Sequence, residues 1–310
     1  MKQIKLFIEE KFFIIFFILK MLSEMPKYLA WQENRLKKKT NPLKALNISK
    51  YKKSDTIFIL GSGSSINELN KDQWEMIKKH DSFGINFWLI HSHVPTYYMF
   101  ESGEDKERYE TLIKLLQLKK HQYSHVPFII KNIENPNLDL NPITEELRLN
   151  FYSGYELVIP GRLESSLHKS IKLIKKFKIL ELQNIFLFKR ASLSQALSFS
   201  LKAGYKNIVF CGVDLNNINY FYENDDYKNK NIPIPKKIQS ESVHKTISET
   251  YGQITINKVI LSLNNYLLKP NDIKLYIGST KSALYPNLPY YFANIEHETT
   301  RSHLPSGNIE

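Results

Sequence analysis

The stretch TIFILGSGSSINEL, Thr56 to Leu69, holds the first residues whose types and spacing point to chemistry. Its apolar run predicts a buried strand, and Gly61, Ser62, Gly63 and Ser64 predict a tight turn into a helix. Glycine lets a backbone approach a ligand closely, and N–H groups at a helix start attract an anion. A phosphate compound is the expected guest, and a ligand-free strand-to-helix connection is the alternative. Residue types exclude two common phosphate loops. A Rossmann dinucleotide fingerprint needs a third glycine where Ile66 stands, and an acid where the second strand ends, near Asn86. A Walker loop needs Gly-Lys-Ser/Thr, which is missing.

The elements that must position these residues alternate along the chain. Strands are expected at 56–60, 82–88, 96–101, 127–133, 184–188, 206–215 and 273–279. Helices are expected at 70–80, 105–121, 164–177, 192–205 and 255–268, the fourth ending at Gly204. Such alternation predicts an α/β, Rossmann-like fold with a mostly parallel sheet and helices on both faces. In such folds ligands lie beyond the C-terminal ends of the strands. That rule selects Gly61–Ser65, Asn86, Glu101, the run from Arg190 to Ser194 with Ser192 in it, Asp214 onward, and the run 279–282 that ends in Ser282. The polar stretch 216–254 reads as a lid-like insertion.

The chain of 310 residues carries a net charge of +12, unevenly spread. Residues 1–53 hold thirteen Lys or Arg against four Glu, which gives +9 and leaves +3 for the rest. A body so near neutrality argues against nucleic-acid binding, which needs a basic face on the folded domain. The single cysteine, Cys211, excludes a disulfide framework and a cysteine-based zinc site. The acids of ENDDYKN (223–229) sit in a Lys- and Asn-rich loop and read as solvated, so no metal is expected. A metal pair at His91 and His93 is the weaker alternative.

Within 1–53, the apolar run FFIIFFIL (12–19) is far short of the roughly 20 residues that span a bilayer. An acidic pair precedes it and no small-residue cleavage site comes after it, which disfavours a secretory signal. With the lysines around it, it predicts a helix lying in an anionic membrane surface. The alternative is a helix packed on the domain, or on a sister subunit of a homo-oligomer. The chain thus divides into three expected regions: a membrane-association segment 1–53, an α/β domain 54–295, and a tail 296–310.

Three motifs in order, ILGSGSSIN, FGINFW and FLFKRASLSQALSFSLKAGYKNIVFCGVDL, resemble those of the bacterial CMP-sialic-acid transferases of glycosyltransferase family 42. The resemblance covers roughly residues 55–290. It implies a GT-A-variant fold and transfer of a nonulosonic acid (sialic acid, Kdo or a relative) from its CMP ester, with inversion and without a metal. It places Ser62 and Asn86 at the cytidine nucleotide, with Ser62 a departure from asparagine. It matches Arg190, Ser192 or Ser194, Gly212 and Asp214 to the donor site. Glu101 falls where a donor-site asparagine is expected, so it faces the acceptor or marks a different donor. Tyr222 matches a tyrosine that hydrogen-bonds the leaving phosphate. A second such tyrosine falls on Asn216, with Tyr220 near enough to substitute. His244 is the only histidine between His168 and His297 and so matches the general base.

These residue types suit the reaction. The departing phosphate needs hydroxyl or amide donors, and the acceptor hydroxyl needs a base of near-neutral pKa. The expected partners are the CMP-sugar and a lipid-linked surface glycan such as a lipopolysaccharide. The expected place is the cytoplasmic face of a bacterial inner membrane. A UDP- or GDP-sugar transferase and a non-catalytic glycan-binding scaffold are the rivals.

Overall fold

The computed structural model describes residues 9, 11–101, 105–236 and 254–293. Its centre is β2 (Thr56–Leu60), whose five residues are all buried. It pairs in parallel with β3 (Asp81–Gly84) on one side and β9 (Asn207–Cys211) on the other. A strand enclosed on both edges and both faces has no solvated side, and this is why TIFIL is continuously apolar.

The full sheet has eight strands in the order β1-β6-β5-β4-β3-β2-β9-β10, every pair parallel. The remaining strands of this sheet are β1 (Asn41–Pro42), β4 (Tyr97–Glu101), β5 (Phe128–Lys131), β6 (Phe151–Ser153) and β10 (Lys274–Ile277). From β2 the chain builds outward through β3, β4 and β5, then later returns to lay β9 and β10 on the opposite edge. Right-handed crossovers running in opposite directions put their helices on opposite faces. The α/β, mostly parallel architecture read from the sequence is therefore present. The order reverses between β2 and β9, which makes their C-terminal ends the natural place for a ligand.

Four helices matter for the site and its surroundings besides the first: α2 (Lys71–Lys79), α3 (Lys106–Leu118), α4 (Glu164–Lys176) and α5 (Ser192–Lys202). Asn70 caps α2 by accepting from the Gln73 N–H at 2.9 Å, while the Gln73 side chain accepts from the Asn70 N–H at 3.0 Å. Asp105 caps α3, accepting from the Arg108 N–H at 3.1 Å. That cap fixes where Arg108 emerges.

Several expectations differ from the structure, and the strand expected at 206–215 already ends at Cys211. The strand expected at 82–88 stops at Gly84, because Asn86 turns the chain with φ +55. Asparagine tolerates this left-handed region better than most residues. The apolar run at 184–188 does form a strand, β8 (Ile185–Phe188), but outside the main sheet. It pairs with β7 (Tyr155–Val158) in a separate parallel two-stranded sheet, since β9 occupies the free edge of β2. The strand expected at 127–133 ends at Lys131.

The N-terminal segment is built into the domain along one face. Helix α1 (Phe13–Lys37) buries Phe13, Phe17 and Trp31 in the same core as the sheet. Its Glu24 carboxylate accepts from the Tyr155 hydroxyl at 2.7 Å, and Tyr28 and Tyr155 meet edge to face at 5.4 Å. The expected boundary at residue 53 is thus no break in the core. Among the described residues no helix is long and apolar enough to cross a membrane.

Candidate active site

A cavity of about 350 Å³ opens where β2 and β9 end. This lies within the roughly 300–1,000 Å³ typical of small-ligand clefts. Gly61, Ser62 and Gly63 form one wall, with Gly212 and Asp214 beside them. Asn86, Glu101, Arg190 and Ser192 line the other sides, and Tyr220 and Tyr222 close it. Residues far apart in the sequence converge because the strand ends converge.

The glycine turn is more closed than its sequence suggests. The Gly61 N–H donates to the Cys211 carbonyl and the Gly63 N–H to the Gly212 carbonyl, both at 2.8 Å. The Ser64 N–H goes to the Asn219 carbonyl at 3.2 Å and the Ser65 N–H to Asp214 Oδ2 at 3.1 Å. The expected row of N–H groups awaiting an anion is therefore largely engaged within the protein. The turn leads into a five-residue 3-10 helix, Ser64–Glu68. The glycines are needed for close approach. A Cβ on Gly61 would strike the Gly212 carbonyl oxygen, and one on Gly63 would lie 2.6 Å from Asp214 Oδ2. The buried Asp214 carboxylate binds the Ser65 N–H and hydroxyl and lies 3.4 Å from the Ser64 hydroxyl. It locks the turn and so acts as a brace within the cavity wall.

Ser62 is the exception. Its residue is 5% exposed and it lines the cavity, yet its hydroxyl has no partner among the described residues. A buried hydroxyl without a partner is costly, and a bound ligand would relieve that cost.

The opposite wall is made of charged side chains. Glu101 pairs with Lys131, and both reach Ser192: its hydroxyl donates to Glu101 Oε2 at 3.0 Å and accepts from Lys131 Nζ at 3.2 Å. Lys131 thus offsets the repulsion that a lone Glu101 would exert on an anionic guest. Next to it, Glu156 accepts from the Asn132 N–H, and burial pushes its carboxyl up to about 7, with Lys131 opposing. Arg108 sits over the Phe87 ring at 4.6 Å, donates to the Lys236 carbonyl at 3.0 Å, and brings its charge close to Tyr222. Burial raises the Tyr222 phenol above its ordinary range, so it remains a hydrogen-bond donor. Tyr220 stacks on Tyr222 with centroids 5.1 Å apart. Arg190 enters the cavity from a left-handed backbone, φ +73, directly before α5. Its neighbour Lys189 turns away, donating to the Ile159 carbonyl at 3.0 Å, and burial lowers its pKa to about 8.

Lys131 and Arg108 were not among the residues expected from sequence. Lys131 ends β5 and would have been found by the strand-end rule had that strand been stopped two residues earlier. Arg108 lies in the first turn of a helix and carries no comparable signal.

Several expected residues stand away from the cavity surface. The Ser194 hydroxyl accepts from the Lys189 N–H at 2.9 Å and donates to the Ala191 carbonyl at 2.7 Å, closing the start of α5. Ser282 donates to the Val213 carbonyl at 2.6 Å and so supports the Gly212–Asp214 segment from behind. Asn216 is exposed and donates to the Lys281 carbonyl at 2.6 Å. Ser64 faces Asp214. His244 lies outside the described residues, as do 237–253 of the lid-like insertion. Asn86 is exposed at the cavity edge rather than buried, and its carbonyl accepts from the Tyr98 hydroxyl.

The His91 and His93 pair is packed, not open. His91 stacks on Trp88 at 4.5 Å and on Trp74 at 4.8 Å, and its Nδ1 accepts from the His93 N–H at 3.0 Å. Burial pulls His91 down to about 3 and His93 to about 4. Among the described residues, no three His, Cys, Asp or Glu side chains group as a metal site.

Chemically, the cavity offers three cationic side chains (Arg108, Lys131 and Arg190), a protonated phenol and a loose hydroxyl. This set suits an anion carried on a larger polar molecule. No family model matches the sequence, and no curated protein matches it. Among solved structures, the monofunctional alpha-2,3-sialyltransferase Cst-I from Campylobacter jejuni is similar at 18% identity and a TM-score of 0.40, covering 76% of this chain and 80% of that one.

Proposed function

We propose that this protein is a glycosyltransferase that moves a nonulosonic acid from its CMP ester to a hydroxyl of a surface glycan. The observation that carries this reading is the convergence, at one switch point, of Ser62, Asn86, Arg190, Ser192, Tyr220 and Tyr222. In sequence Asn86, Arg190 and Tyr222 match the family 42 pattern, and Ser192 is one of two serines that can match it. Ser62 stands where that pattern has asparagine, and Tyr220 lies near enough to substitute for the second tyrosine. In space all six share one cavity.

The reaction assigns each group a task. The acceptor oxygen attacks the anomeric carbon as the bond from that carbon to the phosphate oxygen breaks, inverting the centre. Ser62 and Asn86 hold the cytidine nucleotide. Tyr222, kept protonated by burial, donates to the departing phosphate, and Tyr220 assists. Arg190 and Lys131 balance the negative charge of phosphate and sugar acid. Glu101, held by Lys131, faces the acceptor. His244 takes the acceptor proton. No metal is needed when protein cations and hydroxyls carry the leaving group. The acceptor is lipid-linked, and the enzyme works from the cytoplasmic side of the membrane.

His244→Ala should abolish sugar transfer, read as CMP release with an acceptor present, while CMP affinity changes less than about threefold. Unchanged turnover in that variant removes the assigned base.

A further inference from the structure

We propose that the outward face of α1, together with the lysines of α4, is a docking surface for an anionic lipid bilayer. The proposal names the partner of the membrane-bound reading above, but it stands on this surface alone and does not depend on what the cavity binds.

The two faces of α1 differ sharply. Phe13, Phe17, Glu24 and Trp31 point inward and are fixed by the core and by Tyr155. Ile14, Ile15, Ile18, Leu22, Met25 and Leu29 point outward and are each between 48% and 65% exposed. On a helix of 3.6 residues per turn these six share one side, and at 1.5 Å per residue they extend over about 22 Å. An exposed apolar strip of that length is uncommon on a soluble surface. It is also rigid, because the inner face is already packed.

The surroundings of the strip choose the occupant. From Lys11 to Gln32 its one acid, Glu24, is buried and bound to Tyr155 and Lys27. Helix α4 abuts the start of α1, with Lys169 Nζ 5.5 Å from the Phe13 ring centroid. An apolar groove between the two helices is rimmed by Lys169 and Lys172. Lys11 is exposed and lines the groove with Ile14 and Ile15. An apolar strip edged by lysines matches acyl chains beneath anionic headgroups. A second copy of the chain would instead bring like-charged rims together.

The test is co-sedimentation of the full chain with vesicles. Vesicles of phosphatidylcholine with about 30% phosphatidylglycerol should pellet the protein, and pure phosphatidylcholine should retain far less. Leu22→Glu should weaken binding at least tenfold with an unchanged melting temperature, since that side chain touches no core. Lys169→Glu with Lys172→Glu should weaken binding to the anionic vesicles about tenfold or more and leave the weak binding to neutral ones unchanged. Full binding by Leu22→Glu, or no binding of the native chain to either vesicle, overturns the proposal. So does light scattering that shows a dimer which Leu22→Glu dissociates, since a second copy would then be the occupant.

Discussion

The two walls of the cavity are built on different principles. The wall from Gly61 to Ser65 is a locked turn: four of its amides are engaged, by the carbonyls of Cys211, Gly212 and Asn219 and by the Asp214 carboxylate. The wall from Glu101 and Lys131 across to Ser192 and Arg190 is made of side chains, held by one another yet facing the cavity. The contrast separates shape from recognition. The glycine turn sets where the cavity is, and the charged wall sets what enters it.

Substitutions should divide along the same line. Gly61→Ala drives a methyl into the Gly212 carbonyl, where neither backbone can yield. It should destabilise the fold by about 3 kcal/mol or more, measured by denaturant unfolding. Lys131→Gln keeps a hydrogen-bonding group for Glu101 and Ser192 but removes the charge. Its stability should stay within about 1 kcal/mol, while donor affinity falls about tenfold to a hundredfold. If Lys131→Gln unfolds the protein and Gly61→Ala does not, the two walls have been assigned the wrong way round.

A smaller effect should appear with pH, and only on the charged side. The folded protein holds the Glu156 proton up to about 7, above the ordinary value of 4.5. The stability from that proton is fully present below pH 4.5 and is lost as pH rises through 7. Glu156→Gln should therefore match the native protein near pH 4.5 and exceed it by about 1 kcal/mol at pH 8.5, the side chain being only half-buried. Thermal unfolding across that range checks the sign. A Glu156→Gln variant that is less stable at pH 8.5 would show that attraction to Lys131 outweighs burial.

Much of this was legible in the sequence because it is local. The runs expected at 56–60 and 206–215 hold enclosed strands, the second stopping at Cys211, and enclosure leaves a composition that can be read. Strands β6 and β7 were missed because they are short and carry Tyr152 and Glu156 among their apolar residues. The place of β8 was missed because pairing is a long-range property that its apolar run does not encode. At the site, strand ends selected Ser62, Asn86, Glu101 and Arg190, all of which line the cavity. They also selected Ser194 and Ser282, whose hydroxyls close a helix start and support a loop. Sequence does not distinguish a serine that holds backbone from one that faces a guest. The expected N-terminal strip was likewise too short. Glu24 interrupts the apolar pattern but points inward, so the exposed face continues past it to Leu29.

The most direct test of the central claim is a calorimetric titration of the full chain with CMP, beside UDP and GDP under the same conditions. The cavity assignment predicts that CMP binds and the other two do not, with affinity reduced in Lys131→Gln and little changed in His244→Ala. Binding of UDP or GDP in preference to CMP would contradict the donor, and binding of none of the three would contradict the function.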